Sequence, residues 1–163
     1  MRKIIIIIAI LLCTSCLNKN LNDYNLYKNQ ISSSFNNEWK EIKKDNNKYT
    51  YEKYNNASNT ITIQLENNSY NQNDHIKYRN EIYNELINYA SQNDLIINGN
   101  SYKTPKNNII YQFNLKNDTI QLKYYYIIGN YKSIKIVASI KDQTEQDEID
   151  IIISKIVNNF EWK

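Results

Sequence analysis

Histidine, proline, glycine and cysteine are scarce in this chain of 163 residues, which contains one, one, two and two of them. Two glycines cannot build the glycine-rich loop that binds phosphate groups. A single histidine leaves a zinc site or a Ser-His-Asp site without its usual partners. Because both cysteines lie near the N-terminus, no disulfide can cross-link the rest of the chain. These shortages predict a protein without a metal or another cofactor.

Isoleucine, asparagine, lysine and tyrosine are abundant instead, and tyrosine alone occurs 15 times. The hydrophobic fraction is 41%, and disordered chains are poor in isoleucine and tyrosine, so we expect a folded domain. The formal net charge of +3 includes Arg2 and Lys3, which lie in a segment expected to be removed, and without them it is about +1. This balance predicts no general attraction to nucleic acid.

The N-terminus has the three parts of a secretory signal in the expected order. Met1-Arg2-Lys3 is basic, an unbroken apolar run of nine residues extends from Ile4 to Leu12, and small residues precede Cys16. The run is too short to cross a bilayer, which takes about 20 residues. The segment resembles a lipoprotein signal peptide, in which a small residue precedes the invariant cysteine, as Ser15 does here. It departs from that pattern at Cys13, where leucine is usual.

This resemblance predicts that residues 1–15 are a signal peptide, and that Cys16 becomes the lipidated N-terminal residue. The thiolate of Cys16 is the group nucleophilic enough to take a diacylglyceryl chain as a thioether. Two or more acyl chains, palmitate among them, anchor a protein stably where one does not, so we expect attachment to a membrane of the bacterial cell envelope. The alternatives are an uncleaved apolar anchor, a plain secretory signal, or a redox or metal pair of Cys13 and Cys16, which lacks further ligands.

Residues 16–34 are polar and rich in asparagine, and they end in three consecutive serines. We interpret this stretch as a lipid-anchored flexible tether, with a helical turn around Tyr24 to Ile31 as an alternative within it. A flexible chain of about 18 residues has a root-mean-square reach of about 25 Å. Such a tether lets the following domain sample the space close to a membrane.

Residues 35–163 carry the hydrophobic patterns of one globular domain. Alternation of apolar and polar residues predicts five strands, namely Tyr49–Tyr54, Thr60–Leu65, Asn108–Lys116, Thr119–Ile127 and Tyr131–Ile140. Apolar residues at helical spacing predict two helices, Asp74–Gln92 and Glu145–Asn158. We expect Asn73 or Asp74 to cap the first helix and Asp142 or Thr144 to cap the second. The stretch Leu95–Lys106 is predicted to be irregular.

The element order β-β-α-β-β-β-α predicts an α+β fold, in which one antiparallel sheet of about five strands is covered by two helices. The sheet-facing stripe of the first helix is predicted to be Ile76, Tyr83, Leu86, Ile87 and Ala90. That of the second helix is predicted to be Ile149, Ile152, Ile153, Ile156 and Val157. A tight turn is expected at Gly129-Asn130.

With this order, the stretch from Trp39 to Trp162 resembles the PsbP-like family of small α+β domains, several bacterial members of which are lipoproteins. The shared features are Trp39 ahead of the first hairpin, the strand–turn–strand element from Tyr126 to Tyr131, and a closing helix followed by Phe160. The proline that usually precedes the first tryptophan is absent. Cystatin-like and nuclear-transport-factor-like domains show a similar pattern. The resemblance implies a non-catalytic assembly or binding role and carries over no site residues.

Few side chains are candidates for catalysis. His75 stands at the start of the first predicted helix, where a solvated or capping role is the simpler interpretation. Paired carboxylates for acid–base chemistry would have to come from the start of the second helix. The helix dipole already favours acidic residues there, which are Glu145, Asp147, Glu148 and Asp150. We therefore predict no catalytic residue.

One tyrosine is a candidate for binding. Alternation along its strand sends Tyr125 to the face opposite Tyr124 and Tyr126. Where the helices leave that face open, Tyr125 forms an exposed surface of the kind that binds proteins and sugars. Where they cover it, Tyr125 belongs to the core.

These observations lead to one functional hypothesis and two alternatives. The hypothesis is a membrane-tethered lipoprotein whose non-catalytic binding or assembly domain contacts an envelope protein or glycan. The first alternative is an envelope hydrolase, which needs a pocket where His75 or two carboxylates converge. The second is a surface-exposed structural lipoprotein without a discrete ligand. An exposed aromatic or apolar patch on the sheet favours the hypothesis.

Overall fold

A computed structural model describes residues 26–45 and 47–163, which form an α+β domain with one seven-stranded sheet and three helices. The strands are β1 (Trp39–Asp45), β2 (Lys48–Lys53), β3 (Asn56–Asn67), β4 (Ile96–Lys103), β5 (Ile109–Lys116), β6 (Gln121–Ile128) and β7 (Lys132–Ile140). The helices are α1 (residues 26–32), α2 (His75–Gln92) and α3 (Gln146–Asn159). Short 3-10 turns, Gln72–Asp74 and Gln143–Glu145, lead into α2 and α3.

The strands lie in the order β1-β2-β3-β7-β6-β5-β4, and every neighbouring pair is antiparallel. The five predicted strands are present as β2, β3, β5, β6 and β7. The prediction of about five strands is inexact, because two more strands, β1 and β4, form the edges of the sheet. β4 lies within the stretch Leu95–Lys106, which the sequence predicts to be irregular.

Each face of the sheet is covered by helix over only part of its width. We name the two faces of the sheet the α3 face and the α2 face, after the long helix that packs on each. On the α3 face, α1 and α3 bury a hydrophobic core on β3, β7 and β6, which includes Ile61, Ile63, Ile134, Ile136 and Ile127. On the α2 face, α2 buries a second core on β5 and β6, which includes Tyr111, Phe113, Leu115, Leu122 and Tyr126. Full burial of such a side chain stabilises the fold by about 1.5–3 kcal/mol. The α2 face therefore stays open over β1–β3, and the α3 face stays open over β4 and much of β5.

Residues 26–34 pack as part of the domain and not as a flexible tether, and α1 agrees with the alternative of a helical turn around Tyr24 to Ile31 over the residues that the structure describes. Tyr27 and Ile31 lie one turn apart on α1, and both are 0% exposed in the core of the α3 face. The hydroxyl of Tyr27 donates a hydrogen bond of 3.0 Å to the carbonyl oxygen of Lys163. A single pair of apolar residues spaced by four in an asparagine-rich stretch is a weak helix signal, which explains why the sequence favours a tether here.

Helix α2 turns a different stripe to the sheet from the one predicted. Its buried residues are Tyr78, Ile82, Leu86 and Ala90, which follow one another at a spacing of four. The predicted stripe shares Leu86 and Ala90 with this set, but Ile76 and Ile87 are 61% and 38% exposed. The predicted stripe contains Tyr83, but Tyr78 faces the sheet more closely. Tyr78 is 9% exposed, whereas Tyr83 is only partly buried.

The predicted cap Asp142 lies on the 3-10 turn before α3, and neither α2 nor α3 itself has a side-chain cap hydrogen bond. The side chain of Asp142 accepts a hydrogen bond of 3.0 Å from the N–H of Thr144, and all five residues of the predicted α3 stripe are buried. Before α2, Asn71 rather than Asn73 or Asp74 caps the 3-10 turn, because its side chain accepts from both of their N–H groups.

Candidate binding surface

The open part of the α2 face forms a groove alongside α2. Two adjoining cavities of about 220 and 230 Å³ lie in it, and Lys135 lines both. The first is lined by Lys48, Thr62, Gln64, Tyr124, Lys135 and Val137. The second is lined by residues of β3, β6, β7 and α2, including Glu66, Glu81, Glu85 and Tyr126. We call the two cavities together the α2 groove.

Strand alternation builds the floor of the α2 groove. The core-facing residues of β3 and β7 point to the α3 face, so the residues between them point into the groove. The register places Thr62 opposite Val137 and Gln64 opposite Lys135, which makes one continuous patch. The hydroxyls of Thr50 and Thr62 lie 3.2 Å apart and share a hydrogen bond. The floor therefore offers hydroxyl, amide and ammonium groups side by side.

Tyrosines give the α2 groove its apolar surface. Tyr124 is half-buried in the floor, and Tyr89 on α2 is 42% exposed. Burial raises the pKa of Tyr124, and the nearby hydroxyl of Tyr89 raises it further. Tyr126 lies beneath the second cavity, and burial holds its pKa far above the ordinary range. The hydroxyls of Tyr124 and Tyr126 therefore stay protonated at neutral pH, and a tyrosine hydroxyl can both donate and accept hydrogen bonds.

Charges of both signs border the α2 groove. Lys135 lies 3.5 Å from a carboxylate oxygen of Glu66, and its ammonium is 5.7 Å from the centre of the Tyr126 ring. On the helix side, Glu81 accepts a hydrogen bond from the hydroxyl of Tyr70, and Glu85 is exposed. Together with Lys48, these groups suit a polar ligand that also presents a flat apolar surface.

Tyr125, the binding residue proposed from the sequence, is not on the surface. It is 7% exposed and belongs to the core under α1 and α3, where Gln112 donates a hydrogen bond of 3.1 Å to its hydroxyl. Of the two alternatives for Tyr125, the structure shows the core position and not an exposed binding surface, because the core of the α3 face extends across β6. The neighbouring Tyr124 points to the opposite face and reaches the α2 groove. Alternation along β6 places Tyr124 and Tyr125 on opposite faces of the sheet. No signal in the sequence shows which part of each face the helices leave uncovered.

His75 is half-buried at the first turn of α2, where its Nδ1 and the hydroxyl of Tyr111 form a hydrogen bond. The cavity beside it, of about 310 Å³, is also lined by Ser101 and Lys103. Burial raises the pKa of Tyr111, while the positive charge of Arg79 partly offsets that effect. Within the described residues no carboxylate is bonded to His75, and no cluster of His, Cys, Asp and Glu could hold a metal ion.

Three of the four acidic residues near the start of α3 fasten the helix to the sheet. Glu145 accepts a hydrogen bond of 2.9 Å from Asn59 of β3. Asp150 pairs at 2.7 Å with Lys123, whose side chain is 8% exposed. Glu148 binds residues of β1 and β2, and Asp147 is exposed. Glu145 and Glu148 share Lys53 of β2 as a partner, at 3.5 and 2.6 Å, so its ammonium partly neutralises the pair. None of the four acidic residues lines the α2 groove or the cavity beside His75.

Cys16, the signal peptide of residues 1–15 and residues 16–25 of the predicted tether lie outside the described residues. Their assignments stay predictions from the sequence. Within the part of the chain that the structure describes, no helix is both long enough and apolar enough to span a membrane.

Comparisons with known proteins show similarity of fold only. No family model and no curated protein sequence matches the chain. The solution structure of cyanobacterial PsbP (CyanoP) from Synechocystis sp. PCC 6803 matches with a TM-score of 0.55 and 11% identity, over 79% of this chain and 84% of that one. A crystal structure from Bacteroides thetaiotaomicron VPI-5482 has a TM-score of 0.34 and 11% identity, over 70% of this chain and 40% of that one. The described domain therefore has a PsbP-like α+β fold.

Proposed function

We propose that this protein is a membrane-tethered lipoprotein of the bacterial cell envelope, and that its domain binds an envelope protein or glycan without catalysing a reaction. Lipid on Cys16 is the membrane attachment. The α2 groove is the observation that carries the binding part of the proposal. It is concave, it lies on the sheet beside α2, and it combines tyrosine rings with hydroxyl, amide and charged groups.

The chemistry of the α2 groove supports a protein or glycan ligand. Tyrosine presents a flat apolar ring with a polar tip, which stacks on sugar rings and on side chains alike. Around Tyr124, the hydroxyl of Thr62 and the amide of Gln64 can exchange hydrogen bonds with sugar hydroxyls or a peptide backbone. Lys48 and Lys135 are placed to pair with acidic groups of such a ligand. Nucleic acid is not the partner we propose, because the near-neutral chain gives no broad positive field.

The proposed lipid anchor determines where the domain can meet its ligand. Since residues 26–34 belong to the domain, at most ten residues, 16–25, separate it from the lipid that we propose on Cys16. Ten residues of any conformation span at most about 35 Å. The domain would then act on components close to the membrane surface. This short reach favours a partner that is itself at, or in contact with, the membrane.

Site-specific photo-crosslinking in intact cells tests the binding role. A photoreactive amino acid replaces Gln64 in the α2 groove, and in the matched control it replaces Ile151, which is 55% exposed on the outer side of α3. We expect a discrete crosslinked product from position 64 and none from position 151. Digestion with a protease or a muramidase then distinguishes a protein partner from a glycan. The same products from both positions, or none from either, would contradict a specific role of the groove.

A further inference from the structure

The two edges of the sheet differ in how they are protected against pairing with another chain. β1 has the sequence Trp-Lys-Glu-Ile-Lys-Lys-Asp, and its register is interrupted between Glu41 and Lys43. Charges and bulges are the usual features that keep an edge strand from pairing. β4 has neither protection, because its only charged residue is Lys103 and its register with β5 is unbroken. Among the described residues, no strand pairs with the outer side of β4.

The hydrogen bonds at the end of β4 identify which backbone groups point outward. The N–H of Thr104 donates a hydrogen bond of 3.0 Å to the carbonyl oxygen of Asn108, so it points toward β5. Backbone direction alternates along a strand. The N–H and C=O groups of Ile97, Gly99 and Ser101 therefore point away from the sheet, where a further strand could bind them.

The side chains of β4 suit a second copy of the same strand. Ile96 and Tyr102 are 69% and 39% exposed, and both point to the α3 face from opposite ends of β4. In an antiparallel pair centred on Gly99, Ile96 of one chain lies opposite Tyr102 of the other. Two-fold symmetry creates this apolar contact twice.

The remaining residues fit the same register. Asn98 of one chain lies opposite Asn100 of the other, and both are exposed and uncharged. Lys103 lies opposite Leu95, so no like charges meet across the pair. We propose that the protein forms a two-fold symmetric dimer in which β4 pairs with β4 of a second copy, centred on Gly99. This inference does not depend on the membrane anchor or on the α2 groove.

Engineered cysteines test the register directly. Gly99 itself is unsuitable, because a Cβ there would lie 2.6 Å from Cδ1 of the Phe113 ring. In the full chain, we expect Asn98→Cys combined with Asn100→Cys to give a disulfide-linked dimer that a reductant cleaves, since a close antiparallel pair brings these Cβ atoms within disulfide range. The wild type, which carries Cys13 and Cys16, sets the background, and each single variant should stay at that background. A single strand pair is a small interface, so we expect a weak dimer. A disulfide that links the two copies covalently is therefore a suitable test.

A charge substitution provides a second readout without new cysteines. Tyr102→Lys removes both apolar contacts at once, and we expect the dimer dissociation constant to rise about tenfold. Ile42→Lys on β1 is the matched control, because Ile42 is 45% exposed on the opposite edge, and it should leave the constant unchanged. Light scattering of the detergent-solubilised chain measures both.

Three results would overturn the proposal. The wild type could be monomeric at every concentration, the single cysteine variants could crosslink as well as the double variant, or β4 could crosslink only to a strand of a different protein.

Discussion

The indole N–H of Trp39 in β1 donates a hydrogen bond of 2.9 Å to Oε1 of Glu148 in α3. The other carboxylate oxygen of Glu148 accepts a hydrogen bond of 2.6 Å from the ammonium of Lys53 in β2. One acidic side chain thus joins the edge strand, its neighbour and the closing helix. Trp39 is one of the residues on which the resemblance to PsbP-like domains rests, and this contact gives it a structural role.

We expect Glu148→Gln to lower the free energy of unfolding by about 1–2 kcal/mol, because it removes the negative charge closest to Lys53 and leaves one acceptor oxygen for two donors, Lys53 and Trp39. Urea denaturation measures the change. Glu38→Gln is the matched control, since Glu38 also lies 3.3 Å from Lys53 but its side chain is 63% exposed. An exposed ion pair contributes little, so the control should cost less than about 0.5 kcal/mol. Equal effects of the two substitutions would contradict this account.

The same site predicts a pH dependence. Burial tends to raise the pKa of Glu148, but the hydrogen bonds from Lys53 and Trp39 outweigh it and hold the pKa below its ordinary value of 4.5. A carboxyl whose pKa is lower in the folded state stabilises the fold above its unfolded pKa, and this contribution is lost as the pH falls through the folded pKa. Below pH 4.5 the wild type should therefore lose stability more steeply than Glu148→Gln. Parallel curves would refute the lowered pKa.

Gly129 is required by a close contact rather than by backbone conformation. A Cβ at this position would lie 2.7 Å from Cε2 of Trp162, whose indole N–H donates a hydrogen bond of 3.1 Å to the carbonyl oxygen of Ile128. We expect Gly129→Ala to cost about 1–3 kcal/mol by overpacking. In the Trp162→Ala background the same substitution should cost little, because the obstructing ring is gone. Thermal unfolding of the four proteins tests this, and additive effects would exclude the contact as the cause.

Tyr51 has a buried hydroxyl without a hydrogen-bond partner among the described residues, and its ring stacks 4.1 Å from that of Phe35. Burial raises its pKa to about 12. Tyr51→Phe should therefore increase the free energy of unfolding by about 1 kcal/mol, since it removes an unsatisfied polar group. Tyr27→Phe should decrease it by about 1–2 kcal/mol, because that hydroxyl bonds to Lys163 and Lys132. Denaturant titrations that change both in the same direction would contradict the hydrogen-bond assignment.

Helix α1 gives a direct test of where the domain begins. Ile31 is 0% exposed, so we expect Ile31→Ala to cost about 2–5 kcal/mol. Leu26→Ala serves as the control because Leu26 is 49% exposed, and it should change the stability by less than about 0.5 kcal/mol. Chemical denaturation measures both variants. A negligible effect of Ile31→Ala would mean that residues 26–34 behave as the flexible tether after all.

The sequence predicts the central strands and both long helices because each of them buries one face. Strand β1 escapes detection because Trp39 is its only buried residue, Lys40 is partly buried and the other five residues are exposed. Strand β4 escapes detection because it is an edge strand with Gly99 at its middle, and of its residues only Ile97 is partly buried. Both are held by backbone pairing with a neighbouring strand, which leaves no hydrophobic period in the sequence.

The candidate binding surface is harder to predict from the sequence than the fold. Alternation correctly separates Tyr124 from Tyr125, but the choice between them depends on which part of each face is covered. That coverage follows from the position of α2 over β5 and β6, and of α1 and α3 over the other half of the sheet. Helix position across a sheet is set by packing between distant residues, and local patterns do not contain it.

The most direct test of the proposed function is incorporation of labelled palmitate, with membrane fractionation, in the wild type and in Cys16→Ser. We expect the wild type to carry the label and to sediment with membranes, and the variant to lose both together. A wild type without label, or a variant that keeps its label and stays with the membrane fraction, would contradict the lipoprotein assignment.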